Sequence, residues 1–349
     1  MSCVGGLVVR RRYWQCRCGA DGGYPADEIL GLSGRLTRAL QKHACRLSAD
    51  GSFAAAAEHL REMLGVRVCP ETLRGLSERH GRAMARFQPA DAAGAQSFRA
   101  APGQVELTID AGKVNTRDQG WKDLKIGVFQ KRPSGEPVSP DGWDGQRLPA
   151  ATARVAFAAV APAKRFRRCW RGWSKRLGVA QAGELHVLAD GAAWIWKSVE
   201  RVLSGCGQTL DVYHACEHLS RASDGLYGPD TAASRSAFGR GRSLLVAAGW
   251  AGVCTWVGEQ LAAEDMPARR AVLDRVIGYF APHIGRLDYA GRLAAGRAIG
   301  SGAVEGQAKT LGLRLKARGA RWRLANVRPM ASLVCVRHSD QWHTYWTAA

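Results

Sequence analysis

Apolar residues recur at helical spacing through the first part of the chain, from Ser33 to about Arg86, where Phe53, Ala56, Ala57, Leu60 and Leu64 mark one face. "GVRVCPET" interrupts the period, and Pro70 falls at the first position of a new helix, where its missing N–H costs nothing. The spacing predicts a helix-turn-helix. Its second helix, "PETLRGLSERHGR", would offer Thr72, Arg74, Arg79 and Arg82 to a DNA groove, and the alternative is a small helical bundle with a solvated basic face. Residues 88 to 102 are rich in Ala, Gly and Pro without a strong period, which predicts a linker.

Beyond residue 102 the period changes from helix to strand. In "VELTID" Val105, Leu107 and Ile109 face one way while Glu106, Thr108 and Asp110 face the other, so Asp110 is expected to end a strand with its carboxylate off the core face. "WKDLKIGVFQK" and "ARVAFAAVA" read as two further strands around a turn-rich stretch, giving an antiparallel start to a mixed sheet. A basic amphipathic stretch, "AKRFRRCWRGWSKRLG", comes next. "ELHVLADGAAWIWKSVERVL" then reads as a buried strand, Asp190 at its C-terminal end, and a helix. Ligand sites in α/β sheets sit at such strand ends. "QTLDVYHACEHL" supplies another strand, and residues 220 to 296 are largely helical by period.

Composition narrows the partner more than the fold. The 349 residues are 46% hydrophobic and 23% charged, which is ordinary for a globular chain. The charge balance is not ordinary: 50 Lys+Arg against 30 Asp+Glu leaves +20, and a polyanion such as nucleic acid is the natural partner. No apolar run reaches the ~18 residues of a membrane span and no secretory signal pattern opens the sequence, so a cytoplasmic, nucleoid-associated location is expected. The ten cysteines are scattered and read as reduced thiols. Cys16 and Cys18 make half a zinc-ribbon pattern, but only Cys3 lies upstream and a closed Zn²⁺ site needs four ligands.

Three carboxylates carry the candidate chemistry. Asp110 and Asp190 each lie at an expected strand end, and Glu305 lies near the start of a helix after Ser301, an expected N-cap. Hard oxygen ligands converging from separate elements are what a pair of Mg²⁺ or Mn²⁺ ions needs for phosphoryl transfer. Each has a plainer reading as well: Asp110 and Asp190 could begin turns, and Glu305 could pair with Lys309 one helical turn on. Val304, Ala308, Leu311 and Leu315 form the expected buried stripe of the Glu305 helix, leaving Glu305 at its edge beside Lys309 and Lys316.

"SFAAAAEHLREMLGVRVCPETLRGLSERHG", "LTIDAGKV", "LADGAAWIW", "DVYHACEHL" and "GSGAVEGQAKTLGLRLKARGARW", in this order, resemble the ISKra4-type insertion-sequence transposases, a branch of the DDE transposases with an RNase H-like core. The resemblance runs from about Arg10 to the C-terminus and implies an α/β fold: an RNase H-like mixed sheet with an all-helical insertion, preceded by a helical domain. It implies Asp110, Asp190 and Glu305 as the metal-binding catalytic triad and Asp211 and His214 as an accessory Asp-x-x-His pair. The domains expected are a partial ribbon (1–28), a helical DNA-binding domain (29–87), a linker (88–102), the first part of the core (103–214), the insertion (215–297), and the Glu305 helix with a basic C-terminal segment (298–349). Lys309, Arg314, Lys316, Arg318, Arg321 and Arg323 would then hold the DNA backbone, beside Arg74 and Arg79 from the helical domain. Trp250 and Trp256 of the insertion are expected to pack, with stacking on a flipped base as the alternative.

The implied activity is metal-dependent cleavage and strand transfer at transposon ends, by a dimer or larger assembly. A fuller ribbon would be expected ahead of "RRRYW", so the alternative is a truncated or inactive derivative that only holds DNA. A further alternative comes from "HACEH", which fits the H-x-x-E-H pattern of a zinc metallopeptidase through His214, Glu217 and His218, though a peptidase gives no reason for +20.

Overall fold

The computed structural model describes residues 1–348 apart from 5, 7, 16, 19–21, 31, 34, 180–184 and 264–266, and apart from the side chains of 28, 33, 263 and 348. The helical period of the first part becomes α1 (Pro25–Ile29), α2 (Arg38–Asp50), α3 (Phe53–Leu64) and α4 (Pro70–Ala90), with two-residue strands β1 (Leu32–Ser33) and β2 (Leu36–Thr37) ahead of α2. Thr37 and Ser52 accept the backbone N–H of Leu40 and Ala55 and so cap α2 and α3. Such caps stabilise a helix by about 1 kcal/mol. α3 stops at Gly65, which is left-handed, and α4 restarts on Pro70.

Residues 88 to 102 are not a linker. They hold the end of α4 and a further helix, α5 (Ala92–Ala100), whose N-cap Asp91 accepts the N–H of Gly94 and which buries Ala95 and Phe98. Three alanines in its first four residues supply helix propensity that the weak period hides.

The sheet follows as β3 (Gln104–Thr116), β4 (Gly120–Arg132), β5 (Ala153–Val160), β6 (Leu185–Ala189) and β7 (Gly207–Leu210), in the spatial order β5-β4-β3-β6-β7. β3, β4 and β5 are antiparallel neighbours, while β6 and β7 run parallel to β3. The basic stretch becomes α6 (Ala163–Arg176), and α7 (Ala193–Val202) connects β6 to β7. Asp110 does not end its strand as expected. The parallel ladder stops at Ile109↔Ala189, but β3 runs on to Thr116 paired with β4 and, at Thr116, bridged to Trp322, so Asp110 marks the end of the ladder and the start of a projecting hairpin.

Both faces of the sheet are covered. Val105, Leu107 and Ile109 of β3 and Val155 and Phe157 of β5 pack with Phe166, Trp170 and Trp173 of α6 and Ile195 and Val199 of α7. Leu124, Ile126 and Val128 of β4 pack instead with the helical domain and with α12 (Gly302–Leu315) and α13 (Leu324–Arg337). The two covered faces explain why Glu106 and Thr108, polar by pattern, are also buried.

Between β7 and α12 come α8 (Val212–Tyr227), α9 (Ala232–Ala263), α10 (Pro267–Phe280) and α11 (Tyr289–Ala294), and α14 (Gln341–Ala348) closes the chain. α9 bends at Gly249, whose φ of 54° only glycine adopts readily and where a Cβ would lie 2.6 Å from the Leu287 carbonyl oxygen. Trp256 is fully buried and donates its ring N–H to the Ala237 carbonyl, and Trp250 packs against the same core, so both serve the packing of the insertion.

α4 and α13 cross closely at Gly81, where a Cβ would lie 2.1 Å from the Pro329 carbonyl oxygen. Gly81→Ala should therefore cost about 1–3 kcal/mol through forced separation of the helices. Gly75, exposed on the same helix with nothing within 4 Å of a Cβ, is its control. Gly75→Ala should stabilise by about 0.5–1 kcal/mol. Denaturant unfolding of the two variants separates them, and equal midpoints would show that the contact at Gly81 does not form.

Candidate active site

The site is assembled at one end of the sheet by the ends of its parallel strands. Asp110 and Asp190 each follow a residue of the last ladder pair, Ile109 and Ala189, and so lie side by side on neighbouring strands. The Asp110 carboxylate accepts the N–H of Ala111, and that of Asp190 accepts the N–H of Ala192 at 3.0 Å. The Trp196 ring N–H holds the Asp190 carbonyl at 2.8 Å, fixing the turn into α7.

Asp211 ties the next strand to the Glu305 helix. Its N–H donates to the Ala189 carbonyl, and its carboxylate, with no exposed surface, accepts the backbone N–H of His214, the His214 ring Nδ1–H and the backbone N–H of Ser301. The N–H of Val212 also donates to Ile299. Ser301 does not cap α12 with its side chain as expected. Its hydroxyl donates instead to Glu305 Oε1 at 3.0 Å, orienting that carboxylate. The expected stripe on α12 is present, with Val304, Leu311 and Leu315 buried and Ala308 half-buried. Asp211, His214 and Glu305 therefore bring ligand atoms within 4.8 Å of one another, the one such group among the described residues and one that could hold a metal ion.

Electrostatics link this group to the strand-end pair. Burial raises the Asp190 carboxyl above its ordinary range, the Ala192 N–H opposes the shift, and Asp110 and Asp211 reinforce it. Burial also raises Glu305, with Asp211 adding to the shift, the Ser301 hydroxyl and His214 opposing it, and Asp110 adding again. Burial alone would raise Asp211 too, but its hydrogen bonds from His214 and Ser301 carry it below the ordinary range. The Asp211 hydrogen bond in turn lifts the His214 imidazole to about 9. Asp110, Asp190, Asp211 and Glu305 are thus linked electrostatically, only Asp211 and Glu305 of the four sharing the close group with His214, and His214 is the cation that acts on both Asp190 and Glu305. Hard oxygen donors in mutual repulsion fit a divalent cation.

The sign of the His214 shift sets a pH dependence. Protonation of His214 stabilises the folded chain in full below about pH 6.5, and that contribution is lost as pH rises through about 9. Wild-type stability should fall between these values more steeply than that of His214→Gln, as read by chemical unfolding at a series of pH values. Parallel curves would show that His214 is not held protonated by Asp211.

The other expected residues divide. Lys309, Lys316, Arg318, Arg321 and Arg323 are exposed along and beyond α12. Arg314 is not: only 3% exposed, it donates to the Ser48 carbonyl at 2.6 Å and lies over the rings of Phe53 and Trp322, where burial lowers its pKa to about 10. It joins α12 to α2 and α3 rather than meeting DNA. Arg74 is bound by Glu71 and Glu78 of its own helix, whereas Arg79 and Arg82 are exposed. Cys16 lies outside the described residues, and Cys18 is disulfide-bonded rather than a free thiol as expected. The metallopeptidase pattern does not converge: Glu217 pairs with Arg221 at 2.8 Å, and His218 stacks on Tyr279 with ring centroids 3.4 Å apart.

Two aromatic neighbours have no role assigned by the sequence. Tyr279 of α10 reaches back over Gly191, where a Cβ would come within 2.6 Å of its ring, and so places the insertion beside Asp190. Tyr213 stands exposed beside Gly300. Tyr279 lies outside every motif, and Tyr213, though inside "DVYHACEHL", stands there as an unassigned position; the tertiary fold brings both to the site.

No helix among the described residues is long and apolar enough to cross a membrane. No known family model matches the chain, and no curated protein matches it.

Proposed function

We propose that the chain is a divalent-metal DNA strand-transfer enzyme, a DDE-type transposase with an RNase H-like core. The observation that carries this is the placement of Asp110 and Asp190 side by side where the β3–β6 ladder ends, with Asp110 acting electrostatically on Glu305 at the head of α12, whose carboxylate closes with Asp211 and His214. A sheet of three antiparallel strands followed by two parallel ones, then a helical insertion and a Glu-bearing helix, is the arrangement this reading requires. The charge of +20 and the exposed cations beyond Glu305 supply the phosphate-binding surface.

In this reading Asp110, Asp190 and Glu305 hold two Mg²⁺ or Mn²⁺ ions, which when bound would activate the attacking oxygen and stabilise the leaving one. Asp211 is a positioning residue: saturated by three donors, it fixes the backbone at Ser301 and thereby the Glu305 carboxylate. His214 carries the proton that balances the carboxylates, and as neutral imidazole it would offer a further ligand. Lys309, Lys316, Arg318, Arg321 and Arg323 hold the DNA backbone next to the carboxylates without reading sequence. The pair α3–α4, presenting Thr72, Arg79 and Arg82, acts as the helix-turn-helix that reads it. Paired ends call for two or more copies of the chain.

Incubating the purified protein with DNA bearing the element ends should give nicked product in Mg²⁺ or Mn²⁺ and none with a chelator. Tight DNA binding with no cutting in either metal would favour the derivative that only holds DNA.

A further inference from the structure

α6 concentrates positive charge without any acidic residue. Its 14 residues carry seven Lys and Arg and no Asp or Glu. Lys164, Arg168, Arg171 and Lys175 recur at spacings of four, three and four, so at 3.6 residues per turn they fall within roughly 60° of one another. Phe166, Trp170 and Trp173 occupy the opposite side and are buried against the sheet. The four cations are exposed, and among the described residues none has an ion pair or side-chain hydrogen bond. Several exposed arginines on other helices are instead neutralised locally: Arg61 by Glu58, Arg74 by Glu71 and Glu78, Arg221 by Glu217 and Arg240 by Glu259.

The isolated α6 would be a poor helix. Like charges one turn apart cost about 0.2–0.5 kcal/mol per pair, and Lys164 and Arg165 sit at the N-terminal end, where the helix dipole opposes cations. A charge pattern that opposes local stability is relieved by an anionic partner. Burial of the whole aromatic side leaves no apolar face to enter a bilayer, which separates α6 from an interfacial membrane helix. The stripe spans twelve residues, about 16 Å from first to last, or roughly half a turn of duplex.

Position adds the second half of the argument. Register runs from Asp110 through Ile126 to Ala158, so β5 ends beside the acidic site and α6 starts at that end of the sheet. α6 lies on the sheet face opposite to α12. We propose that Lys164, Arg168, Arg171 and Lys175 form a second duplex-binding surface, separate from the cations of α12, so that one chain grips DNA from both faces of the sheet. This rests on the reading of DNA as the partner and extends it to a second segment of duplex, as joining one DNA to another requires.

The test is equilibrium binding of plain duplex DNA, without divalent metal, across a range of KCl concentrations. The variant replaces Lys164, Arg168, Arg171 and Lys175 together by Gln, and a control replaces Arg61, Arg221, Arg235 and Arg240 by Gln, with thermal melts to verify folding. Loss of about four phosphate contacts should reduce the slope of log K against log salt by about 3–4 in the α6 variant, and by less than 1 in the control. An unchanged slope, or an equal loss in the control, overturns the second surface while leaving DNA as the partner. Wild-type protein that ignores duplex overturns both readings. Preference for vesicles of anionic phospholipid over duplex, abolished by the α6 changes, would assign the stripe to membranes instead.

Discussion

Asp190→Asn and Glu305→Gln should each lower DNA cleavage by about 10³-fold or more while leaving DNA affinity within a few-fold of wild type. Each change removes one anionic ligand and keeps the shape of the side chain. Loss of about 4 kcal/mol of transition-state stabilisation corresponds to that factor. Affinity should hold because the neutralised groups are acidic, and removing negative charge beside a phosphodiester weakens repulsion rather than attraction. Asp110→Asn should behave alike, since its carboxylate acts on both of the others. Single-turnover cutting measured beside filter binding separates the two quantities. Variants that cut normally would remove these residues from the chemistry.

Asp211→Ala should give the largest loss of stability among single changes at the site, about 3–5 kcal/mol in denaturant unfolding. The substitution strands the N–H groups of His214 and Ser301 and the imidazolium of His214 beside a fully buried position. His214 is half-exposed, so the cost comes chiefly from the stranded backbone N–H groups, about 1–3 kcal/mol each, and from loss of the α8 N-cap, about 1 kcal/mol. Release of Ser301 also frees Glu305, so cleavage at permissive temperature should fall with the midpoint. A change under 1 kcal/mol would show that the three hydrogen bonds to Asp211 do not hold α8 to α12.

Asp190 and Glu305 were legible as positions because each sits where a period changes, and Asp110 only as the residue after an apolar strand pattern. Asp110 and Asp190 follow apolar strand patterns, and Glu305 opens a helix with a clear apolar stripe. The continuation of β3 past Asp110 was not legible, because "AGKVNT" alternates weakly and is paired mainly by β4. Arg314 read as one cation in a basic run, since its burial comes from Phe53 and Ser48, more than two hundred residues away in the chain. α5 was hidden by alanine and glycine, whose small side chains blur the contrast between faces. Asp211 and His214 were visible only as an accessory pair by resemblance. That they close with Glu305 follows from the hydrogen bond to Ser301, a contact across ninety residues of sequence. The basic character of α6 was plain, but its lack of partners could be judged only once the surrounding carboxylates had been placed.

The measurement that bears most directly on the central claim is calorimetric titration of the full chain with Mn²⁺ at pH 7, in two buffers of different ionisation enthalpy, beside Asp190→Asn and Glu305→Gln. The account predicts saturable binding to wild type, weakened at least tenfold in both variants. If His214 joins as a ligand, binding should also release about one proton, because its pKa near 9 keeps it protonated beforehand. Mn²⁺ that fails to bind, or binds all three proteins alike, would contradict the assignment of this acidic cluster as a metal centre.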